Sequence, residues 1–325
     1  TNSIKALKQL KSLIKVIIPL GIGIFFIYLM LRATTTEDRK LIFDYVKNAD
    51  LRFIMLSVLF GILSHLSRAY RWKFMLAPLG YKPRFVNTIL AVLIAYIANL
   101  GIPRSGEILR ATTLSSYEKI PFEKSFGTII AERLVDLIFL LSFIFLALIL
   151  QYDLIRQVLK EKQISISTII AAALIAMTTF ICLKFLFENN HSKPINRIKT
   201  FLKGLGEGIL SFKSMTNKGA FLLHTVFIWI MYVAMFYVIK WTVPELENLG
   251  LSALLPAFVI GGLTISATNG GIGIYPFSVA LMLSAFGISN ESGLAFGWIV
   301  WTSQTLMIIL FGGLSFFVLA FVNHQ

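Results

Sequence analysis

Asn99-Leu100-Gly101-Ile102-Pro103-Arg104-Ser105-Gly106-Glu107-Ile108-Leu109-Arg110 follows directly on an apolar run that begins at Phe85. The stretch combines helix breakers with three ionisable side chains. Charges within membrane segments usually line a pathway or pair with one another. Broken backbone at membrane depth is tolerated only where it faces protein or a water-filled cavity. The segment therefore reads as a polar site inside a bilayer.

The rest of the 325-residue chain agrees with that setting. It is 57% hydrophobic and 14% charged, with a mean hydropathy of +0.79. Several apolar runs approach or exceed the roughly 18 residues of a spanning helix. They are continuous rather than alternating, which argues against a barrel. The expected fold is an all-α polytopic membrane protein forming one integral domain over 1–325. Val16–Leu31 lacks a small-x-small cleavage site and reads as a retained helix rather than a signal peptide. The single cysteine, Cys182, permits no internal disulfide. The net charge of +14 comes with no nucleic-acid motif, so it reads as topology-setting charge against anionic lipid.

The apolar segments are Val16–Leu31, Leu51–Arg68, Phe85–Leu100, Phe122–Leu150, Thr168–Phe187, Ala220–Trp241, Ala253–Thr268, Ile274–Phe286 and Leu294–Val322. Phe85–Leu100 breaks at Gly101 and Pro103. Ala253–Thr268 breaks at Asn269-Gly270-Gly271-Ile272-Gly273. Each break is followed by a short helix, so both read as re-entrant hairpins. Interrupted segments in matching positions of two halves point to a transporter's binding site. Residues 51–150 and 220–322 share one order: spanning helix, broken hairpin, long closing helix. Thr168–Phe187 joins them, which makes six full crossings and an inverted repeat.

Charge orients this arrangement. Lys5, Lys8, Lys11 and Lys15 precede the first helix, and Arg71, Lys73, Lys82 and Arg84 fall in the next expected inner loop. A third inner loop carries Lys193, Arg197, Lys199, Lys203, Lys213 and Lys218. The loop after Trp241 carries Glu245 and Glu247 without Lys or Arg. The bias favours both termini in the cytoplasm, and the expected location is the cytoplasmic (inner) membrane. Loops 32–50 and 151–167 carry mixed signs. Ile195, Ile198, Phe201, Leu202, Leu205 and Ile209 recur at helical spacing, as in a surface helix.

Four clusters could carry chemistry. Ser64, Arg68 and Arg71 share a helix face beside Trp72; the plain alternative is a positive-inside anchor with an interfacial tryptophan. Arg104, Glu107 and Arg110 follow Asn99 on a short helix whose free N–H groups and dipole favour an anion such as phosphate. Arginine adds bidentate recognition; the plain alternative is an Arg–Glu pair that locks the hairpin. Glu132, Arg133 and Asp136 must face the protein interior or a cavity. Arg133 is placed to pair with Glu107, and the alternative is a structural ion pair. The last cluster is Asn269, Gly270, Gly271, Gly273 and Tyr275, whose glycines allow an anion nest or merely a hairpin tip. All except Ser64 and Trp72 are candidate substrate-binding residues. The histidines, His65, His191, His224 and His324, show no ligand spacing, so no metal is expected, and no catalytic residue or cofactor is assigned.

Arg68-x-x-Arg71-Trp72, Asn99-x-x-x-Pro103-Arg104-x-Gly106-Glu107-x-x-Arg110, Glu132-Arg133-x-x-Asp136 and the glycine turn stand in order along the chain. Together they resemble the flippase-like membrane domain of lysylphosphatidylglycerol synthases, in its stand-alone form, over about residues 10–322. Gln325 lies just past the last helix, so no aminoacyl-transferase domain, and no synthase activity, is expected. Many relatives carry Arg-Glu where this chain has Tyr275-Pro276, a departure that bears on the headgroup. The resemblance implies translocation of a phospholipid or polyprenyl-linked lipid between leaflets. No Gly-x-x-x-x-Gly-Lys-[Ser/Thr] motif is present, so transport would be passive or ion-coupled. The competing readings are a secondary transporter of a small anionic solute, a membrane enzyme acting on a lipid phosphate, and an assembly factor. The chain is expected to bind no nucleic acid and is compatible with a homo-oligomer.

Overall fold

The computed structural model describes residues 35–102, 104–152, 213–268 and 270–323, together with Tyr28 and Arg32. The expected helices Val16–Leu31 (apart from Tyr28) and Thr168–Phe187, the surface stretch Ile195–Ile209, and Pro103 and Asn269 lie outside the described residues. Nine α-helices run in order among those described. They are α1 (Thr36–Lys47), α2 (Leu51–Leu76), α3 (Phe85–Gly101), α4 (Ser105–Glu118) and α5 (Phe122–Leu150), then α6 (Lys218–Val238), α7 (Leu251–Ala267), α8 (Ile274–Ser284) and α9 (Asn290–Val322). Four elements are long and apolar enough to cross a membrane: α2, α5, α6 and α9, the first and third with short 3-10 extensions. The fold is all-helical and polytopic.

Two helices depart from the hydropathy reading. α2 continues to Leu76, well past Arg68. Arg71, expected in an inner loop, is therefore a fully buried helical residue. Hydropathy scores each side chain alone and cannot register that these arginines are neutralised from another helix. The mixed-charge stretch 32–50 contains α1, whose Ile42 joins the core formed with Val243, Leu246 and α9.

Hydrogen bonds show which helix ends share a face. The Arg84 N–H and the Asn87 amide donate to Glu118 at 3.0 and 2.5 Å. Asn323 exchanges bonds with Asn87 at 2.9 and 3.0 Å. The start of α3, the end of α4 and the end of α9 thus lie together on one face. The second hairpin opens on the other. Gln151, at the end of α5, donates to the Ser252 carbonyl near the start of α7 at 2.8 Å. Glu245 accepts from the Ser289 N–H and hydroxyl before α9, at 2.9 and 2.5 Å. Slight burial opposes its charge, but the bonds from Ser289 and Ser292 outweigh it and hold this carboxyl below its ordinary range.

The two hairpins therefore enter from opposite faces. Each closing helix bridges the halves: α5 packs on α4 and on α7, and α9 packs on α8 and on α3. Small residues permit the close approaches. A Cβ on Gly297 would stand 2.6 Å from the Pro276 backbone, and one on Gly293 2.9 Å from that of Ala280. That Gly-x-x-x-Gly spacing on α9 lets α8 lie against its backbone.

The face bearing the open end of the α3–α4 hairpin carries exposed Lys82, Arg84, Lys119, Lys213 and Lys218. The opposite face carries Glu245 and Glu247, with charges of both signs on α1 and at the start of α2, among them Glu37, Lys40, Asp44, Lys47 and Arg52. By the loop-charge rule the lysine-rich face is expected to be cytoplasmic. Single cysteines at Lys119 and Glu247 should therefore label from opposite sides of sealed vesicles. Labelling of both from one side would exclude this orientation.

Candidate functional site: a buried arginine–carboxylate cluster

The α3–α4 hairpin is built by its own polar residues. α3 has 17 residues and so reaches ~25 Å from its face. At the tip, the Asn99 side-chain oxygen accepts from the Gly106 N–H at 2.8 Å. The Ser105 hydroxyl lies within hydrogen-bond distance of the Ala98 and Ile102 carbonyls, at 3.0 and 2.8 Å. Internal partners of this kind are what backbone needs away from water. Gly106 is obligatory for the geometry, since a Cβ there would fall 2.1 Å from the Ala95 carbonyl oxygen. Arg104 takes a left-handed conformation, φ 62°, at the turn.

Behind the tip, three helices, α2, α4 and α5, bring their charges together. Arg68 donates to Asp136 at 2.7 Å and to Glu132 at 3.1 Å. Arg71 donates to Glu132 at 2.6 Å and to Asp136 at 3.0 Å. Arg71 also reaches the Thr225 hydroxyl at 2.8 Å. Glu132 and Asp136 of α5 are thus each shared by both arginines of α2. Arg110 adds a third guanidinium, 2.9 Å from Glu132 and centred 3.8 Å from the Trp72 ring. The Trp72 indole N–H donates in turn to Thr128 at 2.9 Å. A charge network so dry is tolerable only because its members are mutually paired.

The cluster opens at one side. Arg133 pairs with Glu107 at 3.1 Å and lies 3.8 Å from Asp136. Its side chain is 43% exposed, against 3% or less for Arg68, Arg71 and Arg110. Between these groups is a small cavity lined by Arg68, Tyr96, Asn99, Glu107, Arg110 and Arg133. It has room for about one water molecule. Several polar atoms beside it have no hydrogen-bond partner among the described residues. They include Nε and Nη2 of Arg110, Nε of Arg68 and Oε2 of Glu107, all buried. Glu107 and Arg110 stand eleven and eight residues from the open end of their hairpin, or ~16 and ~12 Å deep. That is close to the middle of a ~30 Å hydrocarbon core.

The structure brings together seven of the expected residues: Arg68, Arg71, Glu107, Arg110, Glu132, Arg133 and Asp136. Asn99 lines the cavity beside them. Arg104 is not among them; it is exposed at the hairpin tip, where it precedes α4. The Gly106 N–H expected to meet an anion is instead capped by Asn99. In the second hairpin, the Gly270 and Gly271 N–H groups donate to the carbonyl and hydroxyl of Thr268 at 3.0 and 3.1 Å, which occupies two donors of the expected nest. Gly270 stands against Leu100 of α3, and its carbonyl accepts from the Trp301 indole at 2.6 Å. The two tips meet, but the contact is apolar. Gly273 shapes the turn at φ 71°. Tyr275 is buried against Gly261 in the core of the second half, away from the arginines.

Sequence reasoning missed two tyrosines. The Tyr96 and Tyr232 hydroxyls are 2.9 Å apart, and Arg68 donates to Tyr232 at 3.3 Å. Tyr96 precedes Asn99 by three residues, and Thr225 precedes Tyr232 by seven. Those helical intervals put each pair on one face, a signal the sequence contained.

The lysylphosphatidylglycerol synthase TM region matches residues 16–312. A UPF0104 membrane protein of Methanocaldococcus jannaschii is 25% identical over 292 residues, covering 82% of this chain and 76% of the relative. A UPF0104 membrane protein of Pyrococcus horikoshii is 33% identical over 145 residues, 42% of each chain. No solved structure matches. The match spans both hairpins and every residue of the charged cluster, and the chain belongs to the family of the lysylphosphatidylglycerol synthase transmembrane region.

Proposed function

We propose that the protein carries an anionic lipid or lipid-linked intermediate between the leaflets of the cytoplasmic membrane, without ATP hydrolysis. The observation that carries this reading is the position of Arg133. Its half-exposed side chain lies on the outer surface of α5 among exposed Leu134, Leu137, Ile138 and Leu141. Glu107 meets one edge of it at 3.1 Å, and the exposed remainder, at the hydrocarbon level of a lipid-facing helix, calls for a further anionic partner or water. A phospholipid meets it sideways, with its phosphate at the arginine cavity and its acyl chains still in the bilayer. A small anionic solute would use the same arginines, but it would not call for a mouth on the apolar flank. The hairpins that enter from opposite faces support alternating access, in which one half rocks against the other around a fixed site.

The test is lipid scrambling in reconstituted vesicles. An acyl-labelled fluorescent phosphatidylglycerol is bleached from outside, and the protected inner-leaflet pool is followed with time. The wild-type protein should expose that pool without ATP. A pool that stays protected in vesicles holding folded protein would reject the reading.

A further inference from the structure

The cavity has room for about one water molecule, yet more donors surround it than one water can serve. Arg110 and Arg68 both line it, and both are buried, at 2% and 3% exposure. Nε and Nη2 of Arg110 and Nε of Arg68 have no partner among the described residues. The pair between Arg110 and Glu132 runs through Nη1 and leaves that edge of the fork open. Asn99 also lines the cavity. Its side-chain oxygen is taken by the Gly106 N–H, so the group it has left to offer is its amide N–H. Among the lining residues, the one buried side-chain acceptor without a partner is Oε2 of Glu107. A water has two lone pairs for these donors and two hydrogens to place. A monatomic anion accepts from every side and has no hydrogen to place.

Charge points the same way. Four guanidinium groups, from Arg68, Arg71, Arg110 and Arg133, stand against three carboxylates, from Glu107, Glu132 and Asp136. One positive charge is in excess, and at ~12–16 Å depth an unbalanced charge is costly. A water leaves that excess in place, a cation adds to it, and a monovalent anion cancels it. Size then selects among anions. A halide is little larger than a water, whereas a phosphate with its four oxygens enters only after the helices part.

We propose that the closed cavity is a chloride site, in which Arg110 and Arg68 hold one halide as the counter-ion of the cluster. Glu107 faces the same cavity with a like charge and limits the affinity.

The test is equilibrium binding of radioactive chloride to the full chain purified in detergent, with gluconate as the balancing anion. The wild-type protein should bind chloride saturably, and bromide should displace it while inorganic phosphate does not. Two variants should shift the affinity in opposite directions. Arg110→Gln removes the open donor edge and the excess charge, and should weaken binding at least about tenfold. Glu107→Gln deletes the like charge, and should tighten binding about tenfold, as expected for one charge removed from a poorly screened site. Glu107 is partly exposed and pairs with a half-exposed arginine, so its loss strands no buried charge. Gel filtration checks that each variant stays folded. No saturable binding by folded wild-type protein would mean that the cavity holds water only. Displacement by phosphate as readily as by bromide would overturn the monatomic class, and an affinity unchanged in either folded variant would place the ion elsewhere. No lipid movement enters this measurement, so its failure would leave the vesicle assay to decide lipid transport separately.

Discussion

Glu132→Ala lowers the stability of the protein in detergent by about 3–5 kcal/mol, the usual cost of removing one partner from a buried ion pair. Glu132 is 1% exposed and receives Arg68, Arg71 and Arg110 from two other helices. Without it, three buried guanidinium groups share one buried carboxylate, Asp136. A typical domain is stable by 5–15 kcal/mol, so much of the folded population is expected to be lost on mild heating. Thermal unfolding followed by gel filtration measures this. Glu107→Ala is the control, because its partner Arg133 already meets the surroundings, and it should melt close to wild type. Equal melting of the two variants would show that the network contributes nothing special to folding.

Arg110→Gln is expected to slow lipid movement by roughly 10- to 100-fold, the value of one hydrogen bond to a charged group, while the fold survives. The two halves of that expectation have separate causes. Glu132 retains Arg68 and Arg71 at 3.1 and 2.6 Å, so no carboxylate is stranded. Glutamine still covers part of Trp72. What disappears is the cationic edge facing the cavity. Arg104→Gln, at the exposed hairpin tip, should move lipid at close to the wild-type rate and reports on any general effect of reduced positive charge. Wild-type transport in folded Arg110→Gln would remove the phosphate-binding role and leave Arg110 a structural residue. The same logic applies to Arg133→Ala. Its partner Glu107 is itself partly exposed, and the more distant Asp136 keeps Arg68 and Arg71, so the protein should fold and lose lipid capture rather than stability.

Much of this architecture can be read before any coordinates are known. Continuous apolar runs can satisfy their backbone in lipid only as helices, which settles the class. Gly101, Pro103 and the 269–273 turn break two of those runs too early for a full crossing, which marks the hairpins. The charges at Arg104–Arg110 and Glu132–Asp136 are too costly at that depth to be idle. The Arg133–Glu107 pair was legible too, as opposite charges on neighbouring segments of matching depth.

Tertiary structure decided the rest. The extension of α2 to Leu76 was illegible because hydropathy treats Arg71 as a hydrated charge, whereas Glu132 and Asp136 neutralise it from α5. Whether an arginine anchors a helix end or builds a core depends on partners more than 60 residues away in sequence. Arg104 is parted from the cluster as the left-handed residue that precedes α4 at the exposed tip, a local backbone choice with no side-chain signature. The glycine turn shows the same limit: its composition permits an anion nest, but Thr268 and Trp301 take up its polar groups. Periodicity and composition determined which segments enter the membrane and where they break, because each residue's transfer cost is a local quantity. Which charges meet, which donors stay free and which arginine faces lipid are properties of pairs and neighbourhoods, and only the packed helices set them.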